Sequence, residues 1–213
     1  MVCPSVALAR TACALAALGL APVVCAAAPV LRSAEARITM RAPGLCDVSL
    51  TLEVDDATRV EHRLEVLEGS RIDRLEVRGG TVVGDLRAVG PTRVLVVAPS
   101  ETTYSLRYAV QQPEHEAYRC PLWLPAVAAD GRSRNVRILV SLPDTATAAG
   151  TLPRFEWRGA QGTATLGHLP SFVRVPYAMP GEPAPVDVAR VMDIVAVAAM
   201  LGASAAWVWR RKT

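Results

Sequence analysis

The chain has 213 residues, 51% of them hydrophobic, and its 23 basic and 20 acidic side chains give a formal charge of +3. Arg10, Arg190, Arg210, Arg211, Lys212, Asp187 and Asp193 lie in two apolar terminal regions, which leaves 18 charges of each sign between them. A near-neutral middle excludes electrostatic binding of nucleic acid, which requires a basic surface in excess. Lys212 is the only lysine, so the arginines reflect a bias of composition and carry little information one by one.

Residues 1–28 read as a signal peptide. Arg10 precedes an apolar run, Thr11–Val24, and small residues follow at Cys25-Ala-Ala-Ala28. The apolar core is about 14 residues, short of the roughly 20 that span hydrocarbon as a helix. Cleavage is expected after Ala27 or Ala28.

The next 147 residues, 29–175, read as strands. Cys46, Val48, Leu50, Leu52 and Val54 alternate with Asp47, Ser49, Thr51 and Glu53, the period of two that marks a half-buried strand. Val60–Val66 repeats the pattern with His62 on the apolar phase, and Asp55-Asp56 between them suits a turn. Leu75 and Val77 extend it toward Gly79-Gly80, Val94–Ala98 is continuously apolar, and Thr102–Val110 and Asn135–Leu142 alternate again. Phe155–Trp157 and Phe172–Val175 add two short strands, and prolines at 99, 113, 121, 125, 143, 153 and 170 mark strand ends. No long stretch with a period of 3.6 interrupts this series. The expected fold is therefore all-β, an antiparallel β-sandwich of immunoglobulin-like architecture.

Residues 176–187, with Pro176, Pro180, Pro183 and Pro185, read as an extended stalk. Residues 188–209 read as a C-terminal transmembrane helix, about 33 Å long at 1.5 Å per residue. Trp207 and Trp209 fall where an interfacial aromatic belt is expected, and Arg210, Arg211 and Lys212 form a basic cytoplasmic tail over 210–213. The expected location is a single-pass membrane protein of a bacterial envelope, with its ectodomain outside the cytoplasm, at the periplasmic face of an inner membrane where two membranes exist. The layout resembles membrane-anchored immunoglobulin-like modules in architecture, although Trp123 follows the second cysteine of the domain instead of lying between the two.

Three of the five cysteines, Cys3, Cys13 and Cys25, fall within the signal. Cys46 and Cys120 remain, and an even pair in an exported domain suggests one disulfide. Other chemistry is sparse. His62 reads as a core histidine, His115 sits between Glu114 and Glu116 in a polar loop, and His168 follows Gly167 in a turn. No Gly-x-Ser-x-Gly occurs, and Gly79-Gly80 and Gly159–Gly162 read as turns because neither opens a helix. Tyr118, Trp123, Phe155, Trp157, Phe172 and Tyr177 read mainly as packing. No cofactor or metal is implied. The expected partners are the lipid bilayer and a protein at the membrane surface. The expected role is a non-enzymatic interaction or accessory module. The second reading is an envelope enzyme or metal-handling protein whose site is assembled from dispersed His and Glu residues.

Overall fold

A computed structural model describes residues 29–183 apart from Asp56 and Ser133, and then Met192, residues 194–201, Ser204 and Trp207. The expected signal peptide, Trp209, Arg210, Arg211 and Lys212 lie outside the described residues. In chain order the strands are β1 (Val30–Ala42), β2 (Leu45–Asp55), β3 (Val60–Glu65), β4 (Arg71–Arg78), β5 (Gly80–Val82) and β6 (Arg87–Val89). They continue with β7 (Thr92–Pro99), β8 (Thr103–Gln111), β9 (Arg119–Pro121), β10 (Leu124–Pro125), β11 (Ala128–Ala129) and β12 (Val136–Ser141). The last are β13 (Thr147–Ala148), β14 (Glu156–Arg158), β15 (Gln161–Leu166), β16 (Phe172–Arg174) and β17 (Tyr177–Ala178).

An eight-stranded sheet runs β14-β15-β12-β1-β2-β8-β4, with β11 also on β1. β1 lies at its centre. It pairs antiparallel with β2, where Ala36 faces Leu50 and Ile38 faces Val48. Its other edge pairs parallel with β12, where Ala36 faces Ile138. Ala34, Ala36, Ile38 and Met40 are buried and the residues between them are not, the alternation of a strand with one face in the core. A five-stranded sheet runs β10-β3-β7-β5, with β6 also on β7. Two small ladders, β13-β17 and β16-β9, complete the architecture. One hydrophobic cluster joins the sheets through Leu50 and Ile138, Leu64 and Leu95, and Trp123 and Val173.

This arrangement corrects the expected two-layer antiparallel sandwich of immunoglobulin-like architecture. The strands fall into four sheets, and β1 has two parallel neighbours. The physical reason lies in the C-terminal half. Prolines at 121, 125, 143, 153 and 170 break the chain there, and most strands after β8 are only two or three residues long. Among these pieces, β9 with β16 and β13 with β17 pair in two small ladders apart from the large sheets. The segment expected as a stalk is strand at Tyr177–Ala178, where both side chains are buried and pair with Thr147–Ala148.

The transmembrane helix expected over 188–209 is corrected as well. Among the described residues no helix is long and apolar enough to cross a membrane. The single-pass placement with an ectodomain outside the cytoplasm rested on that helix and on the signal peptide, and it is corrected by the finding that no described helix can cross a membrane. Trp207, expected in an aromatic belt, is helical and exposed.

Gly79 closes β4 with φ of +75°, and a Cβ there would stand 2.7 Å from the Thr103 carbonyl oxygen of β8. Gly84 has the same φ of +75° but nothing within 4 Å of its Cβ position. Gly84→Ala is therefore expected to cost about 1–2 kcal/mol of left-handed strain alone. Gly79→Ala should cost distinctly more, because the clashing atom is backbone. Urea unfolding of the two variants checks this, and equal losses would mean that the Gly79–Thr103 approach is not a tight one.

Candidate functional site

The polar residues that converge do so on the outer face of the eight-stranded sheet. Registers carry Arg37 of β1 beside Ser49 of β2, Ser49 beside Arg107 of β8, and Arg107 beside Glu76 of β4. One step along, Thr39, Asp47, Ala109 and Asp73 form a second row. These are the alternate positions to the buried Ile38, Val48 and Tyr108, so the core phase of each strand fixes the polar phase outward.

β4 departs from a regular ladder between Asp73 and Glu76, where the register shifts. Arg74 within this bulge has φ of +57°, the left-handed region that non-glycine residues rarely occupy. A bulge re-aims side chains and bends the edge of a sheet. Here Arg74 lines a groove of about 480 Å³ together with Arg37, Ser49, Glu76 and Arg107. A second hollow of about 250 Å³ continues past Asp47, Arg74 and Ala109 to Arg41 and Asp73.

The charges in the groove are unevenly matched. Asp47 pairs with Arg41, and Glu76 with Arg78 at 2.8 Å. Arg37 pairs with Glu35 at 2.6 Å. The hydrogen bond from Arg78 and the positive charges of Arg78 and Arg107 hold the Glu76 carboxyl below its ordinary range. Arg74 and Arg107 have no carboxylate within ion-pair distance among the described residues. Exposed pairs contribute little to stability, so this pattern sets the charge of the surface more than the stability of the fold.

The histidines do not meet. His62 is fully buried on β3, and its Nε2 lies 2.9 Å from the Tyr104 hydroxyl of β8. The rings meet edge to face at 5.7 Å, which links the five-stranded sheet to the eight-stranded one. Burial lowers the pKa of His62 to about 3 and raises that of Tyr104, so both stay neutral. His115 lies exposed in the one-turn 3-10 segment Glu114–Glu116, and His168 is exposed after β15. Among the described residues no three His, Cys, Asp or Glu side chains gather as metal ligands. Tyr118 meets Tyr177 at 5.5 Å, Phe155 meets Trp157 at 5.8 Å, and Trp123 is buried against Tyr108 at 6.4 Å.

Cys46 and Cys120 are brought together. Both are buried, and their Sγ atoms lie 3.1 Å apart. The groove, by contrast, was missed from sequence. The outward phase of β2 and β8 was visible there, but the bulge that brings Arg74 to the groove has no local sequence mark.

No protein-family model and no curated protein matches the sequence. Among solved structures, similarity is found to leukotriene A4 hydrolase from Saccharomyces cerevisiae, with 7% identity and a TM-score of 0.43 over 72% of this chain and 32% of that one. An aminopeptidase N family protein from Idiomarina loihiensis gives 14% identity and a TM-score of 0.40 over 67% of this chain and 29% of that one. An M1 zinc metallopeptidase from Deinococcus radiodurans gives 16% identity and a TM-score of 0.34 over 66% of this chain and 39% of that one. The matched part is about a third of each of those chains. Likeness this distant carries no argument about activity.

The buried His62 makes stability depend on pH. Its pKa of about 3 in the fold lies below the unfolded value of 6.5. The unfolded chain therefore binds the proton first as pH falls. The stability is fully present above about pH 6.5 and is lost progressively toward pH 3, at up to about 1.4 kcal/mol per unit. Urea midpoints of the wild type should fall more steeply between pH 6.5 and 4 than those of His62→Gln, which can still bond Tyr104 but does not titrate there. Parallel slopes would show that His62 is not held neutral.

Proposed function

We propose that this chain is a non-enzymatic interaction module that holds a carboxylate-bearing partner segment in the groove across β1, β2, β8 and β4. The observation that carries this reading is the pair Arg74 and Arg107, which line the groove without contacting carboxylates of their own. A guanidinium presents a planar fork of donors that matches a carboxylate in two parallel hydrogen bonds. Ser49 and Thr39 offer hydroxyls beside them. Asp47 and Glu76, already paired with Arg41 and Arg78, line the same groove and disfavour a segment whose acidic groups fall out of register.

The site lies on paired strands, whose ladders fix the spacing of Arg37 and Arg107 about Ser49. Arg74 is fixed differently, by the bulge in the edge strand. A groove of this size accommodates a few side chains of an extended peptide, and its open, charged character suits rapid, salt-sensitive association.

A hexaglutamate peptide titrated into isotopically labelled protein is the direct test. Backbone amide shifts are expected at Arg37, Ser49, Arg107 and Arg74–Glu76, fading as salt is raised, and hexalysine should leave these amides in place. In Arg74→Gly/Arg107→Ala the shifts should be lost, and glycine suits the φ of +57° at residue 74, so the fold is kept. Absence of shifts at millimolar peptide, or shifts that persist in the double variant, would overturn the proposal.

A further inference from the structure

Cys46 lies on β2, opposite Met40 of β1 on one side and Val110 of β8 on the other. Cys120 lies on β9, opposite Val173 of β16. The two positions are 74 residues apart in sequence, in different sheets, yet their sulfurs touch at 3.1 Å. Both side chains are closed off from solvent, at 2% and 1% exposure. Around them the small β9-β16 ladder is held to the large sheet by the Tyr108 hydroxyl, which donates to the Pro121 carbonyl at 2.9 Å, and by Trp123 packed against Tyr108.

We propose that Cys46 and Cys120 form a structural disulfide that fastens the β9-β16 ladder to the eight-stranded sheet, and that it closes before the two side chains are buried. The inference is independent of the groove and its ligand. Formation is a two-electron oxidation by thiol–disulfide exchange with a small disulfide such as oxidised glutathione. One cysteine thiolate attacks a glutathione sulfur, breaks that disulfide and releases one glutathione thiolate. The second cysteine thiolate attacks the mixed disulfide at the cysteine sulfur and releases the other. Two cysteine protons leave, and one oxidised glutathione becomes two reduced ones.

The order of events follows from burial. Exchange requires a thiolate with an open line of approach. In the folded chain neither sulfur offers one, and burial together with the neighbouring Cys46 thiol raises the Cys120 pKa well above its ordinary value. In the open chain both cysteines are accessible. The same enclosure shields the finished bridge from reductant. The joined elements are remote in sequence, so the bridge constrains the unfolded chain across a long loop.

The test uses the full chain, denatured and reduced, then refolded in a mixture of oxidised and reduced glutathione. Remaining thiols are alkylated after a second denaturation and the chain is cut with trypsin. Cleavage after arginine leaves Cys46 in residues 42–59 and Cys120 in residues 120–132, one cysteine in each. The expected product is these two peptides joined and lighter by two hydrogens. Protein refolded in reductant and then given the same oxidant should form the joined peptide at least about tenfold more slowly, because the thiols are already enclosed. Two alkylated peptides after oxidative refolding would overturn the bridge. Either peptide joined instead to glutathione, or to a peptide carrying Cys3, Cys13 or Cys25, would overturn it as well. Equal rates before and after folding would overturn closure ahead of burial.

Discussion

Both edges of β1 are hydrogen-bonded, to β2 on one side and to β11 and β12 on the other. A long central strand buries a row of backbone donors and acceptors, and each unpaired one costs free energy comparable to a lost hydrogen bond. β1 meets this constraint with partners from both ends of the domain. The β2 hairpin is local, whereas β12 begins about a hundred residues later. Its parallel pairing forces a long crossover, and β3 through β11 occupy it. The five-stranded sheet and the β9 segment lie within that excursion, so their placement depends on how β1 is paired.

Two side-chain contacts fix how the crossover packs back. His62 of the five-stranded sheet meets Tyr104 of the eight-stranded one, and the bond between neutral polar groups gives His62 Nε2 and the Tyr104 hydroxyl a partner in an otherwise apolar layer, while His62 Nδ1 is buried without one. Tyr108, two alternate positions along β8, donates to Pro121 and meets Trp123 edge to face. A histidine this enclosed does not exchange protons near neutral pH, so its role is orientation of two sheets. The Cys46–Cys120 pair lies at the seam between the large sheet and the β9-β16 ladder.

The outer face follows from the same registers read in the opposite phase. Because Ile38, Val48 and Tyr108 point inward, Arg37, Ser49 and Arg107 must point outward in one row. Regular pairing alone would give a flat, polar sheet. The bulge at Arg74 curls the edge strand and places a second arginine near Arg107, while Arg41 and Arg78 occupy the carboxylates. The groove is thus a product of one strained residue at an edge and of ion pairs along neighbouring strands.

Alternation over β2, β3, β8 and β12 was legible in the sequence, because a period of two between apolar and polar residues is a local property of a half-buried strand. So were the burial of His62 and the isolation of Cys46 and Cys120 as a pair in the domain. β1 was not legible, since Ala34 and Ala36 are inward residues whose small side chains give a weak apolar signal among Arg, Ser and Glu. β15 was hidden for a similar reason, with Gly162 inward against Trp157 where a glycine reads as a turn. The apolar run near the C-terminus was legible as hydropathy, but among the described residues it gives no helix long and apolar enough to cross a membrane. Strand partners, the number of sheets, the meeting of the two sulfurs and the turn of Arg74 were decided by tertiary structure alone. Each depends on pairing between segments far apart in the chain, and local periodicity sets which face of a strand is buried without choosing its neighbour.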